Sequence, residues 1–131
     1  MNKRGEGMKD NDKHLRAEIT KVLLELGIPI NLQGFEFFRE SVLIVIKQPS
    51  MIKKVTKGLY PQVGGYFDVK PTVVERSMRH AADHGYLKTG FRTINKYFRI
   101  SDDQGWDYKP TNSELVALIA EYLKIENLVV V

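Results

Sequence analysis

The sequence predicts an all-α domain of about six helices with an embedded helix-turn-helix, winged-helix-like but without a substantial sheet. Three observations carry that expectation. Apolar residues recur at helical spacing in every long segment. No segment offers a convincing strand partner. Two short helical patterns are joined by a three-residue turn, which is the arrangement of a helix-turn-helix. The 131 residues fit one domain, and 43% apolar with 27% charged residues is the composition of a soluble globular protein.

Residues 1–12 read as a flexible charged leader, because Gly5, Gly7 and alternating charges give nothing to bury. The remainder, 13–131, reads as the helix-turn-helix domain. Leu15, Ile19, Val22, Leu23 and Leu26 share one helical face, with Asp12 as N-cap and Gly27 as stop before Pro29. Residues 28–34 connect to a second run in which Phe35, Phe38, Val42, Val45 and Ile46 share a face. The β-branched stretch 42–46 also fits a buried strand. The uninterrupted period from Phe35 favours helix, and Pro49 closes it. Ser50 is placed to cap a third helix carrying Met51, Ile52, Val55 and Leu59. Pro61 starts a short helix to Phe67, and 68–70 form the tight turn. Pro71 suits the first turn of the next helix, although Thr72 with Glu75 also fits a capping box. That helix runs to about Leu87, and a short one covers 92–98. Residues 101–108 form an acidic loop. Its Trp106 and Tyr108 are expected to pack against the last helix rather than stack on a base. Thr111 with Glu114 is a capping box that opens a final helix, with Leu115, Leu118, Ile119, Tyr122 and Ile125 on one face.

Several functions are excluded at this level. The chain has no cysteine, which removes disulfides, thiolate metal sites and cysteine nucleophiles. No apolar run approaches the roughly 20 residues of a membrane-spanning helix, and the polar start is no signal peptide, so a cytoplasmic location is expected. There is no phosphate-binding glycine loop, and Asp102–Asp103 reads as a solvated turn, so no enzyme and no cofactor are expected. His80 and His84, four residues apart, lack a third ligand at metal spacing, so no metal is expected either.

The net charge of +4 divides unevenly. Residues 47–100 carry eleven Lys/Arg and three Asp/Glu, a local +8, whereas 101–131 carry two and six. A concentrated positive field attracts a polyanion. On a helical wheel of residues 72–86, Val74, Met78, Ala81 and Gly85 fall together. Thr72, Glu75, Arg76, Arg79 and Asp83 fall opposite, with Val73, His80 and His84 on the flank. Arginine donates bidentately to guanine and glutamate accepts from cytosine, so this face has the chemistry of a recognition helix. Any surface helix has a polar face, and the wheel alone does not separate the two readings.

The sequence blocks Leu59-Tyr60-Pro61, Phe67, Val74-Glu75-Arg76-Ser77-Met78-Arg79-His80-Ala81 and Lys109-Pro110-Thr111-Asn112-Ser113-Glu114 closely resemble a known family. It is the C-terminal DNA-binding effector domain of the sporulation initiation response regulator, the stage zero sporulation protein A family. Gly27-Ile28-Pro29, Gly34-Phe35 and Arg39-Glu40 extend the resemblance, which covers about residues 15–126. It implies a cytoplasmic transcription regulator that binds double-stranded promoter DNA at TGTCGAA-like elements, activating some genes and repressing others. It implies that Glu75 reads a base, that Arg76, Arg79 and His80 contact phosphates or bases, and that Thr72 sits near the backbone. The family usually carries a guanine-reading arginine where this chain has Val73, which relaxes or changes preference at that position. Family regulators also carry an N-terminal phosphorylated receiver domain. Here only a short leader precedes the domain, as in an excised domain or a stand-alone protein. The segment 89–100 corresponds to the family's surface for the RNA polymerase sigma factor, with Arg92, Asn95 and Lys96 as contacts. It is more basic and aromatic than the family pattern, which admits added phosphate contact.

The rival class is a protein-interaction module. The apolar stripe of the last helix and the terminal 128–131, including Val129 and Val131, offer a homodimer face. Such a module would dimerise with or compete against a full-length regulator, or bind the sigma factor.

Overall fold

The computed structural model of the chain describes residues 10–126. Six α-helices make up most of it: α1 (Asp10–Glu25), α2 (Gln33–Lys47), α3 (Tyr60–Phe67), α4 (Pro71–Thr89), α5 (Arg92–Phe98) and α6 (Asn112–Ile125). No named strand occurs among the described residues. An isolated antiparallel bridge between Ser101 and Asp107 pins the ends of the acidic loop.

α2 is the spine, packed against α1, α4 and α6 at once. Its sequence explains why. Phe35, Phe37, Phe38, Val42, Leu43, Val45 and Ile46 are all buried, so the apolar surface extends nearly all round, as in a helix enclosed by its neighbours. The ambiguous run 42–46 is therefore helical, its β-branched residues held by packing. The α1 row Leu15, Ile19, Val22, Leu23 and Leu26 lies against it, fully buried. α1 then stops at Gly27, whose φ of +80° suits glycine. Ile28 N–H reaches back to the Leu23 carbonyl at 3.1 Å and Gly27 N–H to Leu24 at 3.0 Å, closing the helix end.

Several expectations are corrected. Asp12 is no N-cap. α1 already includes it, and its buried carboxylate accepts from Lys47 Nζ of α2 at 3.0 Å. Asp10 to Asp12 thus belong to α1, and residues 1–9 of the expected leader lie outside the described residues. The third helix is not one α-helix. Pro49–Lys53 is a 3-10 turn and Val55–Leu59 a π turn, and Ser50 caps nothing. Lys70, not Thr72, is the N-cap residue of α4, with Pro71 in the first turn. The buried row of α6 is Leu115, Val116, Ile119, Ala120 and Leu123; Leu118 and Tyr122 flank it, and Ile125 is exposed. The terminal residues 128–131 lie outside the described residues. Trp106 does not pack against α6 but is 68% exposed, while Tyr108 donates to Glu114 at 2.9 Å.

Candidate nucleic-acid interface

α3 and α4 are joined by a turn in which Asp68 takes a left-handed conformation, φ +58° and ψ +47°. Val69 N–H bonds to the Gly64 carbonyl at 2.9 Å across that turn. α4 follows as the longest helix among the described residues, and one row of it is wholly inside. Val74, Met78, Ala81, Ala82 and Gly85 are buried, which matches the wheel.

Small residues set how closely α4 lies on its neighbours. A Cβ placed on Gly34 would meet the Ser77 carbonyl oxygen, with Ala81 Cβ at 2.8 Å. A Cβ on Gly85 would meet Ile28 Cγ1 at 2.8 Å. Polar tethers fix both ends of the helix. Thr89 Oγ1 donates to the Leu26 carbonyl at 2.7 Å. Asn112 Nδ2, at the start of α6, donates to the Glu75 carbonyl at 3.0 Å and to Tyr60 Oη at 3.3 Å. α6 is held there by its capping box, in which Thr111 N–H donates to Glu114 and Glu114 N–H to Thr111 Oγ1. Those bonds, led by the Thr111 N–H and then the Tyr108 hydroxyl, hold the Glu114 carboxyl below its usual range. Burial pushes the Tyr60 phenol up, so it stays a neutral donor and acceptor.

With its inner row fixed, α4 turns the opposite face outward. Thr72, Arg76, Arg79 and His80 are exposed, and Val73 and Glu75 are half-buried beside them. Of the six expected contact residues, Thr72, Glu75, Arg76 and Arg79 line one surface, and Val73 and His80 lie on its flank. Glu75 is not free: Arg79 Nε donates to its Oε1 at 3.0 Å and Nη2 to Oε2 at 3.3 Å. Arg76 has no ion pair among the described residues. Asp83 is taken by Lys109 at 2.9 Å. His80 and His84 meet edge to face with centroids 4.6 Å apart. A groove of about 390 Å³ runs along this face between Tyr60 and Thr72, Glu75, Arg76 and Arg79.

The family model described as "Sporulation initiation factor Spo0A C terminal" matches residues 19–123. The chain belongs to this family. The Spo0A C-terminal family is a DNA-binding domain of a sporulation regulator rather than a catalytic one. The match spans α1 to α6 and so includes the helix-turn-helix and the Asn112 tether. No described helix is long and apolar enough to cross a membrane.

The expected sigma-factor contacts divide. Arg92 and Lys96 are exposed on α5, with Arg92 Nε 3.5 Å from Asp107. Asn95 is only 2% exposed, and its Nδ2 donates to the Gly90 carbonyl at 2.9 Å and the Tyr108 carbonyl at 2.8 Å. Its amide ties the acidic loop to α5 and offers a partner no surface. Sequence reasoning missed the positioning residues Tyr60 and Asn112. The only local signal was a polar amide just inside a capping box, and that names no distant acceptor.

Proposed function

We propose that this domain binds duplex DNA sequence-specifically at sporulation-type promoters carrying a TGTCGAA-like element, with α4 in the major groove, and regulates transcription there. One observation supports it above the others. The outward face of α4 gathers Thr72, Arg76 and Arg79 around Glu75, with His80 exposed on its flank, while its inner row is clamped by α2 and α6. A rigidly held helix with a cationic outer face fits the second helix of a helix-turn-helix. In this reading Arg79 takes a phosphate, Arg76 and His80 take phosphates or bases, and Thr72 lies near the backbone. Glu75 accepts from a cytosine amine once DNA draws Arg79 away. Val73 meets a thymine methyl, where an arginine would donate to guanine. Arg79→Ala should weaken binding to every duplex and lower the salt slope by about 1. Loss confined to one base-pair variant would make Arg79 a base reader and refute the assignment.

A second reading is contact with the RNA polymerase sigma factor through Arg92 and Lys96, favoured by their exposure beside the loop that carries Trp106. Replacing both with alanine should then lower transcription in a purified system without altering DNA affinity. Self-association on DNA remains a proposal of the same class, to be read from the stoichiometry of the complex.

A further inference from the structure

The irregular segment Pro49–Leu59 precedes the helix-turn-helix and has no part in the assignments above. Its backbone is built to sort side chains. Met51, Ile52 and Val55 pack against the core and Leu59 is fully buried. Lys53, Lys54, Thr56 and Lys57 are left exposed. Gly58 N–H and Leu59 N–H both bond to the Lys54 carbonyl, at 2.7 and 2.9 Å, so the chain widens just where these lysines emerge. None of the three lysines has an ion pair among the described residues, whereas Lys47, just before the segment, is committed to Asp12. Asp68 is the sole acid between residues 41 and 74.

Position gives these charges a use. Lys53, Lys54, Thr56 and Lys57 line a shallow depression of about 370 Å³. Thr56 also lines the groove along α4, together with Thr72, Arg76 and Arg79. The two hollows therefore meet at Thr56 and form one cationic surface that continues from the outer face of α4. A helix in a major groove is flanked by phosphate backbones, and lysine serves such backbones as a point charge without base information.

We propose that Lys53, Lys54 and Lys57 form a shelf that holds the phosphates of the DNA strand bordering the groove occupied by α4. This rests on the reading of α4 given above. The shelf sets affinity and the angle of entry, and leaves base choice to α4.

The test is binding of the full chain to a duplex containing the preferred element and to an unrelated duplex, from 50 to 200 mM salt. The variants replace all three lysines, as Lys53→Gln, Lys54→Gln and Lys57→Gln together, or as the corresponding arginines. At about 0.9 per phosphate contact, the glutamine triple should lose up to about 2.7 of salt slope. Over the fourfold salt range, the unaltered protein should weaken about 40-fold more than the glutamine triple. The arginine triple should keep the slope, and base preference should be the same in all three proteins. Should the glutamine triple lose helical signal, the single variants carry the test, each expected to lower the slope by about 0.9. A steep slope retained by the glutamine variants overturns the shelf while leaving the α4 reading intact. A changed base preference also overturns it, since the lysines would then be readers. If the unaltered protein shows no salt-dependent duplex binding, both readings fall.

Discussion

Gly34→Ala tests whether the closeness of α2 and α4 is what holds the recognition face in place. The added Cβ would lie 2.7 Å from the Ser77 carbonyl carbon and 2.8 Å from Ala81 Cβ, besides meeting the Ser77 oxygen. Non-bonded carbons rest at about 3.5–4.0 Å, so the two helices must part by about 1 Å. The obstacle is largely helix backbone, which cannot rotate aside as a side chain can. Overpacking of this kind costs about 1–3 kcal/mol, and the helix-propensity gain of alanine over glycine, about 0.5–1 kcal/mol, offsets only part of it. Gly65→Ala is the internal control. A Cβ there meets nothing within 4 Å, so only the propensity gain remains. Chemical denaturation should show Gly34→Ala less stable by about 1–2 kcal/mol and Gly65→Ala more stable by about 0.5–1 kcal/mol. Thermal midpoints should move in the same opposite directions. Gly34→Ala should also weaken DNA binding, because Ser77 and Ala81 lie on the helix that carries Arg76 and Arg79. Equal or greater stability for Gly34→Ala would refute the close-approach reasoning.

Three further outcomes follow from the geometry. Arg16→Ala leaves the buried Glu40 carboxylate without the guanidinium that donates to it at 2.6 and 3.0 Å, and should cost about 3–5 kcal/mol in urea denaturation. Because the Glu114 carboxyl is held below its usual range, its capping contribution is present at neutral pH and is lost as pH falls through that depressed value. Stabilities of the unaltered protein and Glu114→Gln should therefore converge only at pH below the ordinary carboxylate range. Glu75→Ala frees Arg79 from its ion pair, so affinity for unrelated duplexes should hold or rise while preference at one base pair flattens; a uniform loss across sequences would contradict the role given to Glu75.

Features set by local period were legible in the sequence. The rows of α1, α2 and α4 were read correctly because burial follows the 3.6-residue repeat, and the Thr111–Glu114 box because its chemistry lies within four residues. Features set by distant partners were not. Asp12 has the residue type of a cap, but its partner Lys47 is 35 residues away. Apolar spacing in 49–59 identified which side chains turn inward, yet it is blind to whether the backbone bonds are of 3-10, α or π type. In α6 the rows through Leu118 and through Val116 flank the Leu115–Ile119 row on opposite sides, and either could extend it. Only packing against α2 and α1 decides that the second is buried. Trp106 and Asn95 exchanged their expected surroundings for one reason. The path of the acidic loop brings the Tyr108 carbonyl to Asn95 and leaves Trp106 outside. The outward residues of α4 were legible as a set from the wheel, and the Glu75–Arg79 pair among them follows from their four-residue spacing on that face.

The most direct test of α4 as a base reader is selection of bound sites from random duplexes at near-physiological salt, run in parallel on the unaltered protein and on Val73→Arg. A shared TGTCGAA-like motif is expected, with one weakly specified position next to the pair read by Glu75. Val73→Arg should convert that position to guanine with about 1–3 kcal/mol of discrimination. Recovery of no common motif, or of the same motif with the same weak position from both proteins, would contradict the insertion of α4 into the major groove.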